Sequence, residues 1–139
     1  PSKTIPQGLA ALLTFDYEAD FKTNVQIMEK ALSSVKTIEV TQSVRATKIN
    51  GMKIRRHQPI GLLDDELVAM GDDNADVINK ILSKLDMDRS EVVTVYYGAD
   101  ATETEAEQIG EIIGKAHPNL QTEVIKGGQP HYSYIISVE

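Results

Sequence analysis

The stretch from Glu91 to Ile125 constrains this chain more than any other. Glu91-Val92-Val93-Thr94-Val95-Tyr96-Tyr97 is β-branched and aromatic, with little apolar–polar alternation. That pattern suits a central strand covered on both faces. Gly98-Ala99-Asp100 turns out of it, and Thr102 with Glu105 three residues later reads as a capping box opening a helix. Ile109, Ile112, Ile113 and Ala116 carry the helix to about Ala116. His117-Pro118 ends it, because the position before proline resists the α region. Leu120–Ile125 is strand-like again. Strand, helix and strand in this order predict a parallel, right-handed βαβ unit, which makes the chain α/β.

The connection beyond Ile125 is too short for a second helical crossover. Lys126–Pro130 holds Gly127-Gly128-Gln129-Pro130, a corner. The run from Tyr132 to Val138 should then lie antiparallel to its predecessor if the two pair directly. Tyr132, Tyr134, Ile136 and Val138 alternate with His131, Ser133, Ile135 and Ser137. The terminal segment is therefore expected to be engaged in the sheet, unlike most frayed chain ends.

The first half reads as helices and hairpins. Pro6–Phe15 is a short helix with Leu9, Leu12 and Leu13 on one side, and a second helix opens at Ala19 or Asp20 and runs to Ser34. Its stripe is Phe21, Val25, Met28, Leu32 and Val35, with Met28 as core filler. Ile38–Val44 alternates like a half-buried strand. Asn50-Gly51, a turn dipeptide of type I′, predicts that this strand folds back as far as Ile54. Pro59–Leu63 and Leu67–Met70 form a second hairpin around Asp64-Asp65-Glu66. Asp72-Asp73-Asn74 caps a helix through Leu85, buried at Val77, Ile78, Ile81, Leu82 and Leu85. The fold class is thus α/β: a mixed sheet with a βαβ unit, an inserted antiparallel hairpin region and a C-terminal strand. At 139 residues the chain is expected to be one domain, residues 1–18 forming a linker and first helix. It opens Pro1-Ser2-Lys3 without methionine, and is read as a piece of a longer protein.

Charge is distributed unevenly. From Val40 to Leu63 there is no acid, yet Arg45, Lys48, Lys53, Arg55 and Arg56 occur there, while the whole chain carries −7. The acidic total argues against nucleic-acid binding. The local basic patch is able to steer an anionic partner or hold a phosphate; a solvated hairpin face is the plainer reading. There is no cysteine, which fits a reducing cytoplasm, and no apolar run approaches a membrane span.

No self-contained active site emerges. His57, His117 and His131 share no metal spacing, and His117 fits a helix terminus. His131 alone stands on a loop with a functional look. Gly127-Gly128 follows a strand but no helix follows it, so a phosphate cradle is not expected and a tight turn is the simpler role. Asp64-Asp65-Glu66 and Asp72-Asp73 lack a calcium-loop spacing. Asp100 has the position of a catalytic residue of an open α/β sheet, without a partner apparent in sequence. No catalytic and no metal-binding residue is assigned.

The terminal run Gly127-Gly128-Gln129-Pro130, with Tyr132 and Tyr134–Glu139, resembles the extreme C-terminus of the bacterial fatty acid kinase A subunit, from a dihydroxyacetone-kinase-like family. Thr4–Leu13, Val44-Arg45, Ile49-Asn50-Gly51 and Tyr97-Gly98 agree, so the resemblance spans essentially the whole chain. It implies a DegV-like fold and a place beside an ATP-binding kinase domain and a middle domain of the same polypeptide. ATP and magnesium would belong to the full-length protein, with no cofactor in this fragment. It also implies a DegV-type fatty-acid-binding partner subunit whose acyl carboxylate is phosphorylated to acyl phosphate for phospholipid synthesis. The chain is then expected to be a non-catalytic, cytoplasmic accessory domain that helps bind the loaded partner. Arg45, Arg55, Arg56 and His57 would make electrostatic contacts, and Gly127, Gly128, Gln129, Pro130 and His131 would form an exposed or domain-packing corner. A module that itself binds an acyl chain or phosphate, and an oligomerisation domain, are the alternatives.

Overall fold

In the computed structural model, which describes residues 1–139, the βαβ unit is present as expected. β6 (Val92–Tyr97) and β7 (Gln121–Lys126) pair in parallel, with α4 (Glu103–Ala116) between them. The Thr102 side chain accepts the Glu105 N–H, and the Glu105 carboxylate accepts the Thr102 N–H, so both halves of the capping box are made.

The other elements are α1 (Ile5–Leu13), α2 (Phe21–Ser34), β1 (Lys36–Gln42), β2 (Thr47–Ile49), β3 (Met52–Ile54), β4 (Pro59–Leu63), β5 (Glu66–Met70), α3 (Asn74–Leu82) and β8 (Tyr134–Val138). Six strands make one mixed sheet in the order β5-β4-β1-β8-β6-β7. β8 does not pair with β7, its predecessor. It passes over β6 and inserts between β1 and β6, antiparallel to both. All five of its residues are buried.

The first hairpin differs from expectation. Asn50 and Gly51 both have positive φ, as a type I′ turn requires, but they join only β2 to β3 in a separate two-stranded ribbon. β1 pairs instead with β4 and β8. The turn fixes the short-range register of three residue pairs. Beyond it the chain turns outward at Ser43–Arg45, freeing β1 for partners with more apolar surface to share. The second hairpin is formed as read, with Asp64 and Asp65 at positive φ in its turn.

One sheet face, carrying Ile38, Val40, Val93, Val95, Tyr134, Ile136 and Val138, meets α3 and α4 in a core of 17 buried residues. α3 contributes Val77, Ile78, Ile81 and Leu82. It ends at Leu82, leaving Leu85 half-buried beyond the helix. The opposite face carries Thr37, Glu39, Thr94, Ile135 and Ser137, and α1 docks there by polar bonds. Thr4 and Thr37 hydroxyls are 2.8 Å apart, and the Gln7 amide donates to the Val35 carbonyl and to Asp64 at 3.4 and 3.3 Å. This attachment reverses the expected orientation of the helix. Gln7 and Ala11 are buried, while Leu9, Leu12 and Leu13 face outward. α2 follows the same rule: Asn24 is its one fully buried residue, Val25 is exposed, and Phe21 is 85% exposed. Met28 and Leu32 are half-buried between the two helices.

Glu39 is 9% exposed on this second face, opposite Ile135 and Leu62, and makes no hydrogen bond or ion pair. Burial, and then the charges of Asp65 and Asp64, push its carboxyl above the ordinary 4.5. A carboxyl with a raised folded-state pKa holds its proton more tightly when folded. Its contribution therefore favours the native state in acid, and is lost as pH climbs above the unfolded value and through the raised one. Glu39→Gln should stabilise the protein by up to about 1 kcal/mol at pH 7 and by much less at pH 4. Thermal melts at the two pH values check this; equal shifts at both would contradict it.

Candidate functional site

The register of the sheet places several loops at one end. The carboxyl ends of β1, β5, β6 and β7 and the amino ends of β4 and β8 all lie there. Open α/β sheets form their ligand sites at the carboxyl ends of their parallel strands.

Arg45 follows β1, and Arg55-Arg56-His57 precedes β4. Backbone bonds bring the two loops together: the Ser43 N–H donates to the Gln58 carbonyl at 2.9 Å, and the His57 N–H to the Ser43 carbonyl at 2.7 Å. His57 occupies a left-handed position, φ 62°, and the Gln58 amide oxygen closes the turn on the Arg55 N–H at 3.0 Å. Arg55, Arg56 and His57 line an open hollow of about 230 Å3 with Gly71 and Asp72. The protein's two ion pairs are Lys36–Asp64 and Lys80–Asp76, so none of the five cations of the acid-free stretch is paired with an acid. All five are exposed.

Gly127–His131 serves as the crossover that carries the chain over the end of β6. The N–H groups of Gly127 and Gly128 both donate to the Tyr97 carbonyl, at 3.0 and 3.1 Å, and the Ala99 N–H donates to the Gln129 carbonyl at 3.0 Å. The Gln129 amide reaches back to the Tyr96 and Tyr132 carbonyls. Gly128 and His131 stand at positive φ, and Pro130 lies between Gln129 and His131 on the exposed side. The Thr41 hydroxyl donates to the His131 carbonyl, tying the corner to the end of β1. The corner and the basic loops thus share one end of the sheet, but no hydrogen bond or ion pair joins them. Gly98 is the tight point. A β-carbon there would run into the carbonyl oxygens of Tyr132 and Gln129. Both are backbone atoms, so Gly98→Ala should cost at least about 2 kcal/mol. Denaturant titration would register this as a lowered midpoint; an unchanged midpoint would show the corner to be pliable.

Asp100 has a partner after all. The Ser133 hydroxyl donates to its carboxylate at 2.9 Å, joining the end of β6 to the start of β8. His117 caps the C-terminus of α4. No three His, Cys, Asp or Glu side chains gather as metal ligands.

Two surface features escaped the sequence. One is the outward apolar face of α1 and α2, where Leu12 is 65%, Leu13 87% and Phe21 85% exposed. The adjacency of Leu12 and Leu13 was its only sequence signal, since one helix face does not bury both. The other is a notch of about 300 Å3 between the N-termini of α3 and α4, reached by Tyr134. Burial, and then the charges of Glu105 and Asp100, push the Tyr134 hydroxyl up to about 12. Its parts are too distant in sequence to announce it.

The sheet and its helices define a DegV-like protein. A DegV family protein from Eubacterium eligens, solved with heptadecanoic acid, superposes with TM-score 0.63 at 12% identity over 96% of this chain and 55% of its own. The fatty acid kinase B3 protein of Streptococcus pneumoniae, solved with linoleic acid, gives 0.59 at 11% identity over 96% and 54%. At these identities the likeness is one of fold. Sequence then fixes the family: the chain belongs to the FakA-like C-terminal family, that of the fatty acid kinase A subunit, whose profile matches residues 1–139. Protein YloV of Bacillus subtilis and a Staphylococcus aureus protein are each 35% identical over all 139 residues. The chain spans 25% of the length of either relative. No helix is long and apolar enough to cross a membrane.

Proposed function

We propose that this chain is the accessory domain of an ATP-dependent fatty acid kinase, and that it helps bind a fatty-acid-loaded DegV-type subunit. The acyl carboxylate held by that partner is then phosphorylated to acyl phosphate for phospholipid synthesis. In this reading ATP and magnesium are bound by other domains of the kinase polypeptide, in the cytoplasm. Residues 1–139 act as one domain, with Arg45, Arg55, Arg56 and His57 meeting an acidic surface of the partner. The Gly127–His131 corner serves as the rigid edge of that end.

The observation that carries the reading is the unpaired surface charge of a chain of this family. Five cations stand together in an acid-free stretch without an ion pair. The exposed α1–α2 face adds apolar area of the kind that marks assembly surfaces. An acyl-binding role for the domain itself is less well supported. The most apolar crevice, under α1 between Ile5, Leu9, Tyr96 and Ile135, holds about 220 Å3. That is below the roughly 300–1,000 Å3 of typical ligand pockets. An oligomerisation role would leave the cations without a task.

Competition tests the proposal. Excess isolated chain, added to full-length kinase and loaded partner, should sequester the partner and suppress acyl phosphate formation. Undiminished turnover at a large excess would refute the recruitment role.

A further inference from the structure

We infer that the notch between α3 and α4 is a binding site for an alkyl cation, a guanidinium or ammonium head on an aliphatic stem. Tyr134 reaches it from β8 with a side chain that is 2% exposed, and its hydroxyl has no hydrogen-bond partner in the chain. A buried phenol without a partner is uncommon, because the unmade bond is not replaced. The Asn74 amide oxygen, at the start of α3, is shut from water and likewise takes no hydrogen bond. The notch is therefore short of donors.

Two helix N-termini would ordinarily call for an anion, each bringing roughly half a positive charge. Here both are already answered. Asp73 accepts the Asp76 N–H at 2.8 Å at the start of α3, and Glu105 closes the capping box of α4. Asp76 and Glu103 add further charge to the two first turns. The balance is negative, and each engaged carboxylate keeps a second oxygen for a ligand. Ile112, an exposed apolar residue of α4, provides a wall for the stem, and Gln108 stands beside it. A guanidinium supplies five donors to a site that offers acceptors. An alkyl carboxylate would meet Asp73 and Glu105 as like charges. The inference is independent of the partner proposed above.

Methyl-labelled protein titrated with butylguanidinium, followed by NMR at Ile109 and Ile112, tests it. Saturable shifts are expected with a Kd on the order of 1–10 mM for so small a probe, and none with butyrate. Glu105→Gln retains the capping geometry and should weaken binding about fivefold or more. Tyr134→Phe retains the ring and should weaken it about threefold. A blocked arginine peptide that binds as well assigns the natural ligand to a protein side chain; binding of the free alkylguanidinium alone assigns it to a small molecule. Absence of saturable shifts, equal binding of butyrate, or indifference to both substitutions would overturn the site.

Discussion

Removal of the last seven residues, Ser133–Glu139, will leave a chain with no cooperative thermal transition. β8 is the central strand, hydrogen-bonded to β1 on one side and β6 on the other. Without it the sheet separates into β5-β4-β1 and β6-β7. The residues lost from burial include Tyr134, Ile135, Ile136 and Val138. At about 1.5–3 kcal/mol for each buried side chain, their removal matches the whole stability of a typical domain, about 5–15 kcal/mol. The backbone tie between Glu139 and Val92 at the far end would go as well. A milder version grades the effect. Ile136→Ala leaves the strand in place but opens a cavity among Ile38, Val95 and their neighbours. It should cost about 2–5 kcal/mol and lower the melting midpoint by at least about 6 °C. Calorimetry of both variants decides. A truncated chain that still melts cooperatively near the parent temperature would mean that β8 is an addition to the core and not its centre.

Charge reversal at the basic loops should slow association with the fatty-acid-loaded partner without disturbing the fold. Arg45→Glu, Arg55→Glu and Arg56→Glu together invert the field of a patch that no neighbouring acid offsets. The body of the protein is acidic, with nine of the 14 bases and all 21 acids outside the stretch. Screening over roughly 8–10 Å keeps that more distant charge from erasing the patch at physiological salt. The association rate constant should fall about 10–100-fold at low salt, and the gap should close as salt is raised. Stopped-flow association across a salt series reads both. Because the three side chains are exposed, the melting curve should stay within about 0.5 kcal/mol of the parent. An unchanged rate constant at low salt would move the contact to another surface, the α1–α2 face first.

Local structure was legible in the sequence wherever adjacent residues decide it. The Thr102–Glu105 capping box, the helix stop at His117-Pro118 and the turns at Asn50-Gly51 and Asp64-Asp65 each depend on a few residues and their φ preferences. Pairing between distant segments was not legible. β8 sits beside β1, about a hundred residues earlier, and its own alternation is satisfied equally by an edge or a central place. The Asn-Gly dipeptide set its own turn but not how far the hairpin extends. Periodicity likewise located the leucine stripe of α1 without revealing whether anything in the chain covers it. Polar anchors, Thr4 and Gln7, turned the stripe outward. Of the candidate site, the cluster of cations was visible as a charge run. The bonds that join Arg45 to Arg55–His57 and the notch around Tyr134 required the tertiary fold.

The recruitment role is tested most directly by calorimetric titration of this 139-residue chain with the lipid-loaded partner, at low and at high salt. One saturable binding event is expected at low salt, weakening steeply as salt rises. An absence of binding heat at low salt, across temperatures, while the full-length kinase polypeptide binds the same preparation, would contradict it.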